Sequence, residues 1–264
     1  MNWKLAEQVA KKALADGSLM PITTEAETIS EQGVDYLGHV VTENAGKKLQ
    51  GLMSKPTENP FLPYEKSMYV CEAGEHHVCL LNKFPVISPH LLICSKAFVP
   101  QESPLSWEDW HAWLGGFTHP DVFGFYNSGP LAGASQPHRH LQLVRSDIPL
   151  EKVIAGGKLP FKHCLYLVEA MTTDELYEAY LQGMRRLSLI EAGGEVCKPH
   201  NILLTERWLL ILPRSANNIE GLFANGMNYS GRFLVKRPEQ LVWLQQYGLM
   251  RFLLECSESS AINN

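Results

Sequence analysis

Within GASQPHRHLQLV, residues 133–144, two histidines and a glutamine stand at alternate positions: His138, His140 and Gln142. If residues 138–144 form a strand, alternation puts these side chains on one face and sends Arg139, Leu141 and Leu143 to the other. Two imidazoles and a carboxamide then project side by side. The preceding loop, running from Gly133 to Pro137, lies close enough to add backbone N–H groups. Such a set suits an anion that develops charge, for example a phosphoryl group. An imidazole is also a competent nucleophile toward phosphorus. It is largely neutral near pH 7, needs no strong base, and forms a phosphoramidate labile enough to be an intermediate. Gln142 can donate to non-bridging oxygens but cannot protonate a leaving group, so the preferred leaving group is one already good, such as a polyphosphate. Metal ligation by His138 and His140 is the competing reading, but no cysteine pair or HxxxH helix offers the remaining ligands. His76 and His77 are adjacent, face opposite ways, and read as structural.

The elements that must position this stretch can be read from the flanking sequence. Strands are expected at 67–71, 77–81, 90–94, 123–127 and 140–144, and in the second half at 162–168, 201–205 and 208–213. Trp3, Leu5, Ala6, Val9, Ala10, Ala13 and Leu14 fall on roughly one face of a helix over residues 1–15, with Asn2 as its cap. Residues 101–115 read as a second helix ended by Gly115-Gly116. Residues 172–194 make the clearest helix, with Thr172 and Glu175 placed for a capping box, and 238–256 the last, with Pro238 in its first turn. An echo links YVCEA (69–73) and HVCLLNK (77–83) to YLVEA (166–170) and HNILLTE (200–206), which suggests an internal duplication. No motif is legible in roughly the first 45 residues. AGGK (155–158) does not satisfy a P-loop pattern and reads as a turn.

Composition bounds the rest. The chain of 264 residues is 45% hydrophobic and 19% charged, an ordinary globular mix with enough length for a sizeable core. A net charge of −5 argues against nucleic acid or an acidic membrane surface as partner, but not against a small anion met by a local cluster of donors. The six cysteines form no CxxC pair and mostly sit in apolar runs, the pattern of reduced core thiols in a cytoplasmic protein. No signal peptide pattern is visible, and no apolar run approaches the ~20 residues of a membrane span.

GASQPHRHLQLV resembles the active-site strand of the transferase branch of the histidine-triad superfamily. Galactose-1-phosphate uridylyltransferases carry a similar G-x-S-N-P-H-P-H-x-Q pattern. Arg139 between the histidines, with Gln136 before Pro137, looks more like the ATP adenylyltransferases, or diadenosine tetraphosphate phosphorylases. NPFLPY (59–64), HVCLLNKFPVISPHLLI (77–93), FYNSGPLAGASQPHRHLQLV (125–144), NILLT (201–205) and NGMNYSGRFLVK (225–236) resemble that family in the same order. One departure stands out: the family commonly reads N-x-L-G-F-A-G-M where this chain has NGMNYSGRF, so Met227, Asn228 and Arg232 are changed.

The resemblance implies an α+β, histidine-triad-like fold of two fused halves, with antiparallel sheets and helices packed outside. Residues 1–150 would carry the nucleophile, and residues 151–264, a degenerate half, would complete the nucleotide site. It implies reversible phosphorolysis of diadenosine tetraphosphate to ATP and ADP through an adenylyl group on His140. Gln142 would hold α-phosphate oxygens and His138 would buttress the site. Gly133, Ala134, Ser135 and Gln136 would hold the leaving phosphates. Asn82, Lys83 and Asn127 match nucleotide contacts, and Lys55, Asn225 and Lys236 match positions facing the polyphosphate. Adenosine nucleotides and inorganic phosphate are the implied partners. No protein metal site and no tightly bound cofactor are expected, with Mg²⁺ arriving on the nucleotide, and a fused chain suggests a monomer. Three alternatives remain open. A sugar-phosphate uridylyltransferase should carry a cysteine pair and proline between the histidines. A histidine-triad hydrolase should have histidine in place of Gln142. A nucleotide-binding sensor without activity is opposed by the intact His140 and Gln142.

Overall fold

The computed structural model describes residues 1–43, 59–190 and 194–259. Its first helix, α1 (Trp3–Ala15), starts where expected: the Asn2 side chain accepts from the N–H groups of Lys4 and Leu5. Strands β1 (Thr24–Glu31) and β2 (Val34–Val41) form a hairpin that the sequence did not announce. Strand β1 is mostly polar and exposed, with Ile29 its one buried residue, and β2 buries Tyr36, Gly38 and Val41, so no apolar alternation marks the pair.

The large sheet is built from β3 (Tyr69–Glu72), β4 (His77–Leu81), β5 (His90–Ser95), β6 (Val122–Ser128), β7 (His140–Arg145), β8 (Cys164–Leu167), β9 (His200–Leu204) and β10 (Trp208–Pro213). Its order is β3-β4-β5-β7-β6-β9-β10-β8, with antiparallel pairing throughout. The β6–β9 pair joins the halves divided at residue 150 into one sheet. Between these strands run α2 (Trp107–Leu114), the short α3 (Glu151–Ala155) and α4 (Thr173–Arg186). The chain ends with β11 (Asn218–Ile219), β12 (Leu222–Phe223), β13 (Arg232–Val235), α5 (Pro238–Tyr247) and α6 (Leu249–Glu255). Strand β13 joins the first hairpin in parallel with β2.

Alternation assigns the two faces of the large sheet. One face carries Tyr126, Leu141, Leu143 and Ile202, packed under Trp3 of α1, Trp110 and Trp113 of α2, and Tyr180 of α4. The other carries Phe123, Phe125, Leu203, Leu210 and Leu212, covered by Phe233 of β13, Leu244 of α5 and Phe252 of α6. Covering both faces removes most apolar side chains from water, at roughly 25 cal/mol for each Å² buried. Among the described residues no helix is long and apolar enough to cross a membrane, and the six cysteines are free thiols.

Three helices differ in extent from the sequence reading, and the strands expected at 67–71 and 162–168 span Tyr69–Glu72 and Cys164–Leu167. The helix expected over 101–115 spans only Trp107–Leu114, because Ser106 caps it in a box with Asp109 and the carbonyls of Pro100, Ser103 and Pro104 bond Arg139 instead. The helix expected to 194 ends at Arg186, and Ser188 follows at φ 54°; Thr172 caps it through the Glu175 N–H, but Glu175 turns to the N–H groups of Glu169 and Ala170. The last helix breaks into α5 and α6 at Gly248, whose φ of 100° a side chain would resist. The duplication also takes another form. Each half repeats strand–helix–strand–strand, as β5-α2-β6-β7 and β8-α4-β9-β10; β8 pairs with β10, so it does not match β3, which pairs with β4.

Candidate active site

Strand β7 begins at His140 and its pairing with β5 and β6 puts Gln142 opposite Leu92 and Phe125. His138 lies one step before the strand, bridged to Pro100. The loop between β6 and β7 turns back on itself. The N–H groups of Ala132 and Ala134 both donate to the Gly129 carbonyl, and that of Gly133 donates to Pro130. Gly133 sits at φ 91°, and a Cβ there would come within 2.5 Å of Asn225 Cβ. Glycine is therefore required both for backbone conformation and for contact with the second half. With 133 and 134 bonded inside the loop, the N–H groups of Ser135 and Gln136 are the ones left to face a ligand.

The hydrogen bonds dictate the state of each ring. His140 Nδ1 lies 2.8 Å from the His138 carbonyl oxygen, which can only accept, so Nδ1 carries the proton and Nε2 keeps its lone pair. Burial, opposed by that hydrogen bond, pushes the His140 pKa down to about 4, so the ring is neutral at pH 7. Its backbone is clamped by Gln101, which accepts from the His140 N–H at 2.9 Å and donates to its carbonyl. His138 adopts the other tautomer. Its Nε2–H donates to the Ser95 carbonyl, and its Nδ1 accepts from Asn59, whose side-chain oxygen is held by the Phe61 N–H. Both nitrogens of His138 are therefore occupied, which leaves it no lone pair for a metal. Phe61 packs against both rings.

Gln142 is aimed by a chain that starts at one backbone group. The Phe84 N–H donates to Asn82 Oδ1 at 3.0 Å, so Asn82 Nδ2 must face His90 Nδ1, at 3.1 Å. His90 then carries its proton on Nε2 and donates to Gln142 Oε1 at 3.0 Å. The Gln142 amide nitrogen is left pointing away, free to donate. Burial pushes His90 down to about 4 despite the Gln142 contact, so it stays neutral and keeps this polarity. The sequence reading missed His90. Its place in β5 directly before LLIC, paired with Val144 and so on the face of His138, His140 and Gln142, was the available signal.

A second network lies on the opposite face. Arg139 pairs with Asp109, which also accepts from His77 Nε2 at 2.8 Å. Burial alone would raise the Asp109 pKa, but the His77 hydrogen bond and the Arg139 charge outweigh it and hold the carboxyl below its usual range. Arg139 also ties down the carbonyls of Pro100, Ser103 and Pro104, the segment that carries Gln101. The reading of His77 as structural agrees with this role.

The other expected site residues fall into place unevenly. Lys83 is half-buried and paired with Glu65. Asn82 serves His90, as described. Asn127 is buried, and its side-chain oxygen accepts from Asn201 Nδ2 and the Gly226 N–H, both at 2.9 Å. Asn225 caps the turn Gly226–Ser230 and packs on Gly133. Lys236 is exposed at the end of β13 and shares no hydrogen bond with the His140 cluster. Lys55 lies outside the described residues. Among those residues, no three His, Cys, Asp or Glu side chains are grouped to hold a metal ion. A recess of about 140 Å³ opens between Gln101 and Glu102 and the 129–137 loop. A larger hollow at the far end of β7, lined by Asp121, Asp147, Glu151 and Arg207, touches none of the histidines.

Comparison with known proteins agrees with this architecture. The family model described as Ap4A phosphorylase N-terminal domain matches residues 1–166, and that described as ATP adenylyltransferase C-terminal domain matches 157–259. Diadenosine 5′,5‴-P1,P4-tetraphosphate phosphorylase 2 of Saccharomyces cerevisiae is 32% identical over 247 residues, covering 75% of this chain and 76% of the yeast protein. Protein APA1 of the same yeast is 25% identical over 272 residues, covering 87% and 85%. The crystal structure of yeast Ap4A phosphorylase Apa2 superposes with a TM-score of 0.80 at 24% identity over 99% of this chain and 95% of that one. The same enzyme in complex with Ap4A gives 0.78 at 25% identity over 96% of each chain.

Proposed function

This chain belongs to the Ap4A phosphorylase and ATP adenylyltransferase family, and from that membership we propose that His140 is the nucleophile of a two-step adenylyl transfer. The chain is a nucleotidyltransferase that phosphorolyses Ap4A, diadenosine tetraphosphate, and adenosine nucleotides are its partners. The observation that carries the mechanism is the His140 Nδ1–H bond to the His138 carbonyl, which leaves Nε2 as an unprotonated, fixed lone pair.

In the first step His140 Nε2 attacks the α-phosphorus of one adenylyl end. The N–P bond forms, the bridging P–O bond breaks, and ATP departs with the bonding pair. The imidazole becomes cationic, and the His138 carbonyl stabilises the charge through Nδ1–H. The Gln142 amide N–H, aimed by His90, meets the non-bridging oxygens. No general acid is needed, because a polyphosphate leaves readily as an anion. In the second step an oxygen of inorganic phosphate attacks, the N–P bond breaks, and ADP leaves. Ser135, Gln136 and Asn225 line the path of the leaving phosphates. Lys55, Lys83 and Lys236 add positive charge around the polyphosphate, Lys83 after releasing Glu65, while Asn127 holds the 226 turn in place. Mg²⁺ enters on the nucleotide without a dedicated protein ligand. The protein acts as a monomer in the cytoplasm.

Product analysis tests this reading. Incubated with diadenosine tetraphosphate, the protein should yield ATP and ADP only when inorganic phosphate is present. Release of AMP in phosphate-free buffer would identify a hydrolase instead. Binding without turnover would identify a sensor.

A further inference from the structure

The protein buries two arginines, and they are treated differently. Arg139 has Asp109 as its counter-charge. Arg214, at the end of β10 and 3% exposed, has none among the described residues. Its guanidinium donates instead to neutral oxygens: Cys256 O at 2.8 Å, Ala216 O at 2.6 Å, Ala132 O at 3.2 Å, Ala224 O at 3.3 Å and the Asn201 side-chain oxygen. The Tyr229 ring lies 5.1 Å from it. Titratable neighbours do not neutralise it. Burial pushes the Cys256 thiol up to about 11 and the Tyr229 hydroxyl up to about 12, so both are uncharged at neutral pH. The carbonyls solvate the cation, and the C-terminal end of α6 adds partial negative charge, but among the described residues no full charge opposes it. A buried ion without a counter-ion is unfavourable unless something else requires it.

What Arg214 touches says what requires it. Ala132 is the residue before Gly133, and Ala224 the residue before Asn225, so one guanidinium holds both sides of the Gly133–Asn225 contact. It also holds Asn201, whose amide nitrogen donates to the Ala132 carbonyl and to Asn127.

On the functional reading given above, we propose that Arg214 is a positioning residue whose counter-charge is the bound polyphosphate itself. It pins the loop that offers the Ser135 and Gln136 N–H groups, and its unbalanced charge lies beneath that loop, where low permittivity lets it act on an anion it does not touch. The bound polyphosphate carries several negative charges, so binding relieves an electrostatic imbalance built into the empty protein. Arg139, already neutralised, has no such function.

The test supplies the missing acid. Ala216→Asp puts a carboxylate on the residue whose carbonyl already meets Arg214. Relative to wild type, it should melt at a higher temperature without ligand and be stabilised less by inorganic tripolyphosphate. Its KM for diadenosine tetraphosphate should rise on the order of tenfold while kcat changes far less. Arg214→Gln should raise KM in the same direction, and Arg214→Lys, which keeps the charge, should recover most of the loss. A clamp that acted only by shape would be damaged equally by Gln and Lys and would not register the Asp at 216. Unchanged tripolyphosphate stabilisation and unchanged KM in Ala216→Asp would overturn the proposal, whether or not Arg214→Gln folds. If wild type fails to turn over the dinucleotide, the functional reading fails, and the tripolyphosphate melting shifts still decide the role of the charge.

Discussion

Strands β6 and β9 pair antiparallel through Tyr126 and Ile202, and a twofold axis at that pair carries β7 onto β10 and β5 onto β8. Gln142, opposite Phe125, then corresponds to Leu212, opposite Asn201. Two and four residues earlier, His140 corresponds to Leu210 and His138 to Trp208. Both halves turn these positions to the same face of the sheet. In the second half that face is covered by α5 and α6 and filled with apolar side chains. In the first half the same positions hold a polar set with aimed hydrogen bonds. The connection differs too. β9 reaches β10 through Thr205, Glu206 and Arg207, whereas β6 reaches β7 through the glycine loop. Equivalent scaffolds thus separate into a half that carries the proposed nucleophile and a half whose matching positions are apolar, and the difference lies in which strand face is left without a helix over it.

One pair of histidines isolates the point. His200, like His140, donates from Nδ1 to the carbonyl two residues earlier at 2.8 Å, and burial likewise pushes it down to about 4. But His200 lies on the opposite face beside Tyr126, with its Nε2 sealed and unpartnered. Local geometry prepares a nucleophile in both places, and only His140 has the loop and Gln142 in front of it. The largest expected effect follows. His140→Asn should lower turnover by at least ~10⁴-fold and abolish labelling by radioactive AMP from the dinucleotide. His200→Asn should label like wild type. Labelling that survived in His140→Asn would move the nucleophile elsewhere.

The same pair sets a pH response. Each ring binds its proton near pH 4 in the folded protein and near 6.5 when unfolded. Between those values the unfolded chain holds more protons, so stability rises with pH through that window and falls on acidification. Each histidine contributes a loss on the order of 3 kcal/mol by pH 4. Urea unfolding at a series of pH values should show it, with His200→Asn removing one share. Activity should follow His140 together with His90, whose neutrality keeps Gln142 aimed, with kcat/KM declining only as pH approaches about 4 rather than near 6.5.

A smaller effect tests the aiming of Gln142. In the second half the residue paired with Leu210 is Leu165, and Leu212, the counterpart of Gln142, has no polar side-chain group to aim. In the first half His90 carries the orientation set by Phe84 and Asn82. His90→Phe should leave the fold intact and lower kcat roughly 10- to 100-fold with little change in KM, because the amide would then be free to turn its oxygen toward the phosphoryl group. Wild-type kcat in that variant, measured by single-turnover release of ATP, would make His90 a packing residue.

Much of this was legible in the sequence, and the misses have physical causes. The period-two spacing of His138, His140 and Gln142 marked a strand face, and the β4, β9 and β10 strands came out within a residue because their apolar runs are bounded by turn residues. Arg139 was read only as the residue between two histidines, since its partners Asp109 and His77 lie about 30 and 60 residues away and no local pattern links them. Asn82 and Lys83 were placed by resemblance at a nucleotide. In the structure Asn82 meets His90 and Lys83 meets Glu65, partners that no local pattern links to them. Arg214 gave no sign, because a cation at the end of an apolar strand looks the same in sequence whether or not an acid meets it. β1 and β2 were missed because their stability comes from pairing with β13 and packing on α5 rather than from an apolar stripe of their own.

The finest test compares Trp208 with His138, its counterpart. Trp208 is fully buried and its Nε1–H donates to Glu151 at 2.9 Å, while Arg207 holds the same carboxylate oxygen. Trp208→Phe keeps most of the apolar area and removes that one donor, leaving Glu151 still paired. It should cost about 1 kcal/mol in urea unfolding and leave kcat and KM at wild-type values. His138→Phe removes two hydrogen bonds whose acceptor and donor, Ser95 and Asn59, hold the strand entry in place. Its carbonyl is the group that keeps the proton on His140 Nδ1, so any shift of the backbone there reaches the proposed nucleophile. Equal rate losses in the two variants would mean that both halves act only as scaffold. A rate loss in His138→Phe alone, at comparable stability, would separate the half that reacts from the half that braces.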